Sequence, residues 1–289
     1  MSDLRALVAA ELAEPADPRV VAMAAAIAAE FPGSARAVLF YGSCLRQAEL
    51  DGLMLDFYLI VSDYRDAYRS KWLTVANTLI PPNVFPFEHQ GLAAKYAVLS
   101  EADFARLNGP EARDVSVWAR FAQPSRLAWV SDEAARARAV AAVARAAPTL
   151  FSYALPMAEA GADELDVWRR GFALTYASEL RAERRGRSES IVDTDVERYR
   201  RFRAAALPLA APVADAGRAW RRFGRRGKAL SLIRLAKATT TFAGGADYLA
   251  WKINRHAGTK IEVKPWQRRW PILGALTLLP LLWRRGAIR

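Results

Sequence analysis

Residues Leu53 to Val61 read Leu-Met-Leu-Asp-Phe-Tyr-Leu-Ile-Val, apolar at every position except Asp56. A strand with one wet face alternates apolar and polar residues. An unbroken apolar run marks a strand covered on both faces. This segment therefore reads as a buried parallel or central strand, and the chain around it must supply neighbouring strands and covering layers. Asp56 is the exception. An unpaired carboxylate in such surroundings is costly, so the residue is a candidate for chemistry.

The flanking residues supply more of a sheet. Ala37–Tyr41 is a short apolar run ending at Gly42-Ser43, a second buried strand; Ala93–Leu99 reads as a third and Ser125–Val130 as a further one. Residues from about Asp3 to Glu30 read as two helices broken near Pro15 and Pro18, and Phe31-Pro32-Gly33-Ser34 as a turn. Ser70–Leu79 reads as a helix ended by Pro81-Pro82-Asn83, and Phe85-Pro86-Phe87 with His89 as a loop. Ser100, with Asp103 three residues on, is an N-cap for a helix Glu101–Leu107. Val115–Phe121 is helical or extended. The residues up to Val130 thus have α+β character.

Beyond Asp132 the pattern turns helical: Glu133–Ala147, Leu165–Arg185, Val192–Ala206, Lys228–Thr239 and Ala246–His256 read as helices, with a strand at most at Ile261–Val263. The expected organisation is an α+β domain over 1–130, a mainly helical one over 131–245 and a basic amphipathic tail over 246–289. Hydrophobic residues make up 53% and charged residues 25%, ample for a core and unlike a disordered chain. One cysteine, Cys44, and two histidines, His89 and His256, exclude a disulfide framework and a cysteine- or histidine-rich metal centre. The net charge of +12 is uneven: from Arg218 onward the acids are Asp247 and Glu262 alone. A basic end seeks polyanions, either nucleic acid or anionic lipid. The N-terminus lacks the basic-then-apolar order of a cleavable signal, and Val20–Ala29 is too short to span a bilayer.

Tyr41-Gly42-Ser43 and Asp56 combine into a phosphate-binding reading. Gly42 lets a triphosphate approach the backbone, Ser43 adds a hydroxyl, and Asp56 offers Mg²⁺ a hard oxygen ligand. Nucleotidyl transfer asks a protein mainly to position phosphates and neutralise their charge. The plain alternative is an ordinary Gly-Ser turn after a strand.

This pattern resembles the DNA-polymerase-β-like nucleotidyltransferases, in which Gly-Ser is followed, after a gap, by Asp, a hydrophobic residue and a second acid. Here Tyr58 stands where the second acid would be. The narrower resemblance is to the mitochondrial-type phosphatidate cytidylyltransferases, the translocator assembly and maintenance family. It rests on Tyr41-Gly42-Ser43, Gln47, Met54-Leu55-Asp56-Phe57, Lys95-Tyr96 leading to Ser100, Arg120 with Gln123-Pro124, and Tyr176–Arg185, in that order. The resemblance implies a mixed sheet with helices, a helical, winged-helix-like second domain, and attack of phosphatidate on the α-phosphate of CTP with Mg²⁺. It implies roles for Asp56, Ser43 and Lys95 in catalysis and for Tyr41, Gly42, Ser43, Gln47, Arg120 and Gln123 in nucleotide binding. A lipid phosphate is already ionised near neutral pH, so a strong general base is not demanded.

Each further candidate has a plain reading beside the functional one. Asp63, just past the Asp56 strand, is a second metal ligand or a loop cap. Lys95 is a triphosphate partner or a solvent-facing strand lysine. Arg120 and Gln123 contact phosphate and base or are plain surface. Tyr176, Arg181, Arg184 and Arg185 form a clamp for the lipid phosphate or a solvated helix face. His89 reads as structural and Cys44 as a small buried residue.

At the C-terminus, Trp266, Arg268, Arg269 and Trp270 precede an apolar run, and Trp283, Arg284 and Arg285 follow it. The run is too short to span a bilayer, and Trp with Arg at both ends suits the headgroup level. A segment lying in an anionic membrane surface is the expectation, with a packed C-terminal helix as the alternative. A peripheral enzyme on the cytoplasmic face of a bacterial inner membrane follows, or on the matrix side of the inner mitochondrial membrane in a eukaryote. No nucleic-acid partner is expected. The competing readings are a nucleotidyltransferase acting on tRNA or a small polar acceptor, and a non-catalytic membrane-associated scaffold.

Overall fold

In the computed structural model the described residues are 3–47, 49–159, 161, 163–179, 191–241 and 264–265. The chain opens with helices α1 (Asp3–Ala13) and α2 (Pro18–Ala29). Asp17 caps α2, its carboxylate accepting from the Arg19 amide, and Pro18 takes the first helical position, where no amide partner is needed. Strands β1 (Ala35–Tyr41) and β2 (Met54–Val61) follow, then short α3 (Tyr64–Ala67), α4 (Lys71–Leu79), β3 (Asn83–His89) and β4 (Leu92–Ser100). Helices α5 (Glu101–Asn108) and α6 (Trp118–Phe121) lead into β5 (Ser125–Val130). The remaining helices are α7 (Glu133–Val143), α8 (Ala146–Ala154), α9 (Asp166–Ser178), α10 (Val196–Ala206) and α11 (Ala216–Thr241).

The strands form one five-stranded sheet in the order β3-β4-β2-β1-β5. β2 and β4 run parallel, and the other neighbours are antiparallel. β2 is the central strand, which accounts for its unbroken apolar run. The fold is therefore α+β with a mixed sheet. Ser100 caps α5 as expected, its Oγ accepting from the Asp103 amide at 3.2 Å.

Two expectations are corrected. The segment around Phe85, Pro86 and Phe87 is an edge strand, not a loop. Proline lacks a ladder donor and is tolerated at an edge, and His89 closes the strand, stacked 6.4 Å from Phe87. The helix expected over Glu133–Ala147 breaks at Ala144-Arg145, because Pro148 suits the first turn of a new helix and not the interior of an old one. Among the described residues the chain after Val130 is helical, as expected. The helix and strand expected at Ala246–His256 and Ile261–Val263 lie outside the described residues.

Each sheet face has its own core. Val20, Met23, Ala24 and Ile27 of α2 cover Val38, Phe40, Phe57, Leu59 and Val98. The other face buries Leu39, Tyr58, Ile60 and Leu99 under Phe104, Trp118 and Phe121, and this cluster continues without a break into Leu150, Phe151, Trp168, Phe172, Tyr199, Trp220 and Phe223. Burial of large side chains contributes about 1.5–3 kcal/mol each, so this shared layer couples the helices after Val130 to the sheet. A buried ion pair adds to it: Arg198 on α10 donates to Glu11 on α1 and, at 3.2 Å, to the Ala122 carbonyl.

Candidate active site

Ser125, Tyr41, Asp56, Lys95 and Pro86 pair side by side in one row across the sheet, where β1 ends and β2 begins. Directly paired residues project from the same face. The next row inward on that face is Leu39, Tyr58 and Ala97, so the polar row sits at the mouth of an apolar layer. Lys95 Nζ lies 3.0 Å from Asp56 Oδ1, with the side chains 31% and 23% exposed. The pair answers the cost of a carboxylate in an apolar strand while leaving it open to solvent on one side.

Gly42 follows directly, with φ 95° and ψ −165°. That region disfavours any residue with a Cβ. A Cβ built there would lie 3.4 Å from Asp56 Oδ2, so the bare Cα of Gly42 faces the carboxylate. Ser43 then opens a single 3-10 turn, Ser43–Arg46. Cys44 points inward, its thiol 3.5 Å from the Met54 carbonyl, and burial pushes that thiol up, which makes it a packing residue and not a nucleophile.

The Tyr41 ring lies tilted against Tyr58, 5.1 Å away, and Phe121, 6.0 Å away. Burial pushes both phenols up. Arg120 hydrogen-bonds Tyr41, donates to the Ser116 carbonyl and reaches Glu179 Oε1 at 3.2 Å. Burial opposes its charge, but Glu179, Tyr58 and Tyr41 together hold the guanidinium above its ordinary value. Next to it, Arg234 of α11 donates to Asp114 Oδ2 at 3.2 Å, to Ser116 Oγ at 3.1 Å and to the Pro81 carbonyl at 2.9 Å.

Of the residues expected to act together, Tyr41, Gly42, Ser43, Asp56 and Lys95 converge. Arg120 is adjacent, but its guanidinium is engaged with Glu179 and Tyr41. Gln123, two residues before Ser125, spends its amide on the Ala119 carbonyl at 2.8 Å. Gln47 is exposed beyond the turn. Asp63 is a correction: it follows the far end of β2, roughly 20 Å from Asp56 at the rise of an extended chain. It caps α3, accepting from the Arg65 amide at 2.8 Å, and cannot share an ion with Asp56. Tyr176 lies half-buried on α9, but that helix ends at Ser178, since Glu179 is extended. Arg181, Arg184 and Arg185 lie outside the described residues. So do Trp266, Arg268, Arg269, Trp270, Trp283, Arg284 and Arg285.

Glu179, Asp114 and Arg234 were not expected near the site. Their sequence separations from Tyr41 and Asp56 are long, and no periodicity announces which helix ends meet over the sheet. Asp56 is the one carboxylate in the polar row, and no group of three or more metal-ligating side chains occurs among the described residues. Magnesium keeps waters and takes phosphate oxygens, needing one or two protein carboxylates. Asp56 thus fits an ion carried by a triphosphate.

No protein-family model matches the chain, and comparison with curated proteins returned no match. No helix among the described residues is long and apolar enough to cross a membrane.

Proposed function

We propose that the protein is a nucleotidyltransferase that moves a cytidylyl group from CTP to phosphatidate, giving CDP-diacylglycerol and pyrophosphate at a membrane surface. The observation that carries the reading is the Asp56–Lys95 pair held 3.0 Å apart beside the uncovered Cα of Gly42. A carboxylate and an ammonium at the end of a sheet, next to backbone that admits close approach, suit a polyphosphate that brings its own cation. Asp56 would hold Mg²⁺ arriving with the triphosphate, and the ion supplies charge neutralisation when bound. Gly42 and Ser43 would line the phosphates. Lys95, released from Asp56 as the ion takes the carboxylate, would turn to a phosphate oxygen. The acceptor phosphate is ionised near neutral pH, so Tyr58 in place of a second acid removes no required base.

The test is a product assay with labelled CTP, Mg²⁺ and phosphatidate in detergent micelles, with ATP, GTP and UTP as parallel donors. Label entering the lipid phase from CTP is the expected result. Transfer to tRNA or a small polar acceptor instead would replace the acceptor assignment. Metal-dependent CTP binding without transfer to any acceptor would leave a scaffold.

A further inference from the structure

Helix α4 is amphipathic in the inverted sense. Its inner face carries Ala76 and the fully buried Asn77, while Trp72, Val75 and Leu79 point outward with 57%, 48% and 73% exposure. The spacing i, i+3, i+7 puts these three on one stripe, with Lys71 and Thr78 beside them. The inner face is held by polar bonds. Asn77 Nδ2 donates to the Val98 carbonyl at 2.9 Å and its Oδ1 accepts the Asn83 amide; Asn83 Nδ2 donates to the Leu73 carbonyl at 3.0 Å. Thr74 Oγ1 donates to the Tyr64 carbonyl at 3.3 Å. Leu73 adds apolar packing against the core, whereas Trp72, Val75 and Leu79 stay outside it and add little to folding.

We propose that this stripe is a contact face for an anionic phospholipid bilayer. Exposed Arg65, Arg69 and Lys71 gather at the Trp72 end, against exposed Asp63 and Asp66. Asp63 is occupied as a cap and Asp66 accepts from Ser62 Oγ. Both acids keep their charge, so three basic side chains against two carboxylates leave a small positive excess beside a tryptophan, the pairing that suits the headgroup level. Ile233, one turn before Lys237 on α11, is also 45% exposed, and Lys237 Nζ is 2.9 Å from the Pro82 carbonyl just past α4. The face thus lies beside α11, which packs against β3. The proposal rests on the membrane part of the reading above, and its test reads bilayer contact alone, so it stands or falls apart from nucleotide transfer.

The experiment uses the full chain with Cys44→Ala and a single new thiol, Val75→Cys, carrying an environment-sensitive fluorophore. A control label sits at Ala137→Cys on α7, beside the opposite edge of the sheet. Vesicles of phosphatidylcholine with phosphatidylserine are expected to blue-shift the label at position 75 and not at 137. Pure phosphatidylcholine is expected to do so more weakly. Replacing Trp72, Val75 and Leu79 together by Ser is expected to weaken cosedimentation by about tenfold or more. A silent label at 75 while the chain sediments with vesicles would overturn the proposal, as would absence of sedimentation. If ultracentrifugation without lipid shows a dimer that the triple variant loses, the stripe is a self-association face and the proposal fails.

Discussion

Asp56, Lys95 and Gly42 meet because three chain segments end or begin at one level of the sheet. The expected outcome of Asp56→Asn is a loss of nucleotide transfer of about a hundredfold or more with an unchanged circular dichroism spectrum. Wild-type turnover with ordinary metal dependence would remove Asp56 from the site. Gly42→Ala forces a Cβ onto a residue at φ 95° and within 3.4 Å of Asp56 Oδ2. About 1–3 kcal/mol of destabilisation is expected, read as a lower denaturant midpoint, together with weaker nucleotide binding in isothermal titration. The row was legible residue by residue. An Asp in an apolar strand, a Gly-Ser after another and a Lys in a third were each visible, and cross-strand register turned them into neighbours. Asp63 was misplaced because closeness in sequence along an extended strand means distance in space.

Ion pairs set how the helices lie on the sheet. The Glu11–Arg198 pair joins α1 to α10 with side chains 7% and 3% exposed. Arg198→Met would strand a buried carboxylate, and about 3–5 kcal/mol of stability should be lost. A Glu11→Leu, Arg198→Met double variant should recover most of it, and denaturant titration of the four-member cycle measures this. Lys237 fastens α11 to the turn after α4 through the Ile80, Pro82 and Ala76 carbonyls. Burial, then repulsion from Arg234, pushes its ammonium down to about 7 from 10.5. The unfolded chain holds that proton up to its higher value, so between pH 7 and 10.5 the unfolded state binds more protons and stability rises with pH. Below about pH 7 the cost of the buried charge is fully present. Thermal melts of Lys237→Met should lose this upward slope. The helices themselves followed from caps and periodicity, but which residue of α11 would meet which carbonyl did not, since partners lie more than a hundred residues apart.

At the scale of the whole molecule, the sheet and the helices after Val130 share one buried layer, with Leu39, Tyr58 and Leu99 on one side and Trp168, Phe172 and Tyr199 on the other. A chain stopped at Val130 would keep Phe104, Trp118 and Phe121 over that sheet face but leave the outer side of that layer uncovered. The fragment 1–130 is expected to lack dispersed amide resonances in NMR and to bind hydrophobic dyes, whereas the full chain should melt in one transition. A fragment that melts cooperatively by itself would show that the sheet region is self-sufficient.

The sequence by itself determined the central strand, its single carboxylate, the Gly-Ser turn and the α+β class. Each of these is a local matter of pattern, turn chemistry and the cost of burying charge. Only packing between distant segments set the edge strand through Pro86, the Glu179 partner of Arg120 and the outward turn of Trp72, Val75 and Leu79. Those depend on which distant surfaces press together, and burial against a remote partner leaves no periodic signature in the residues themselves.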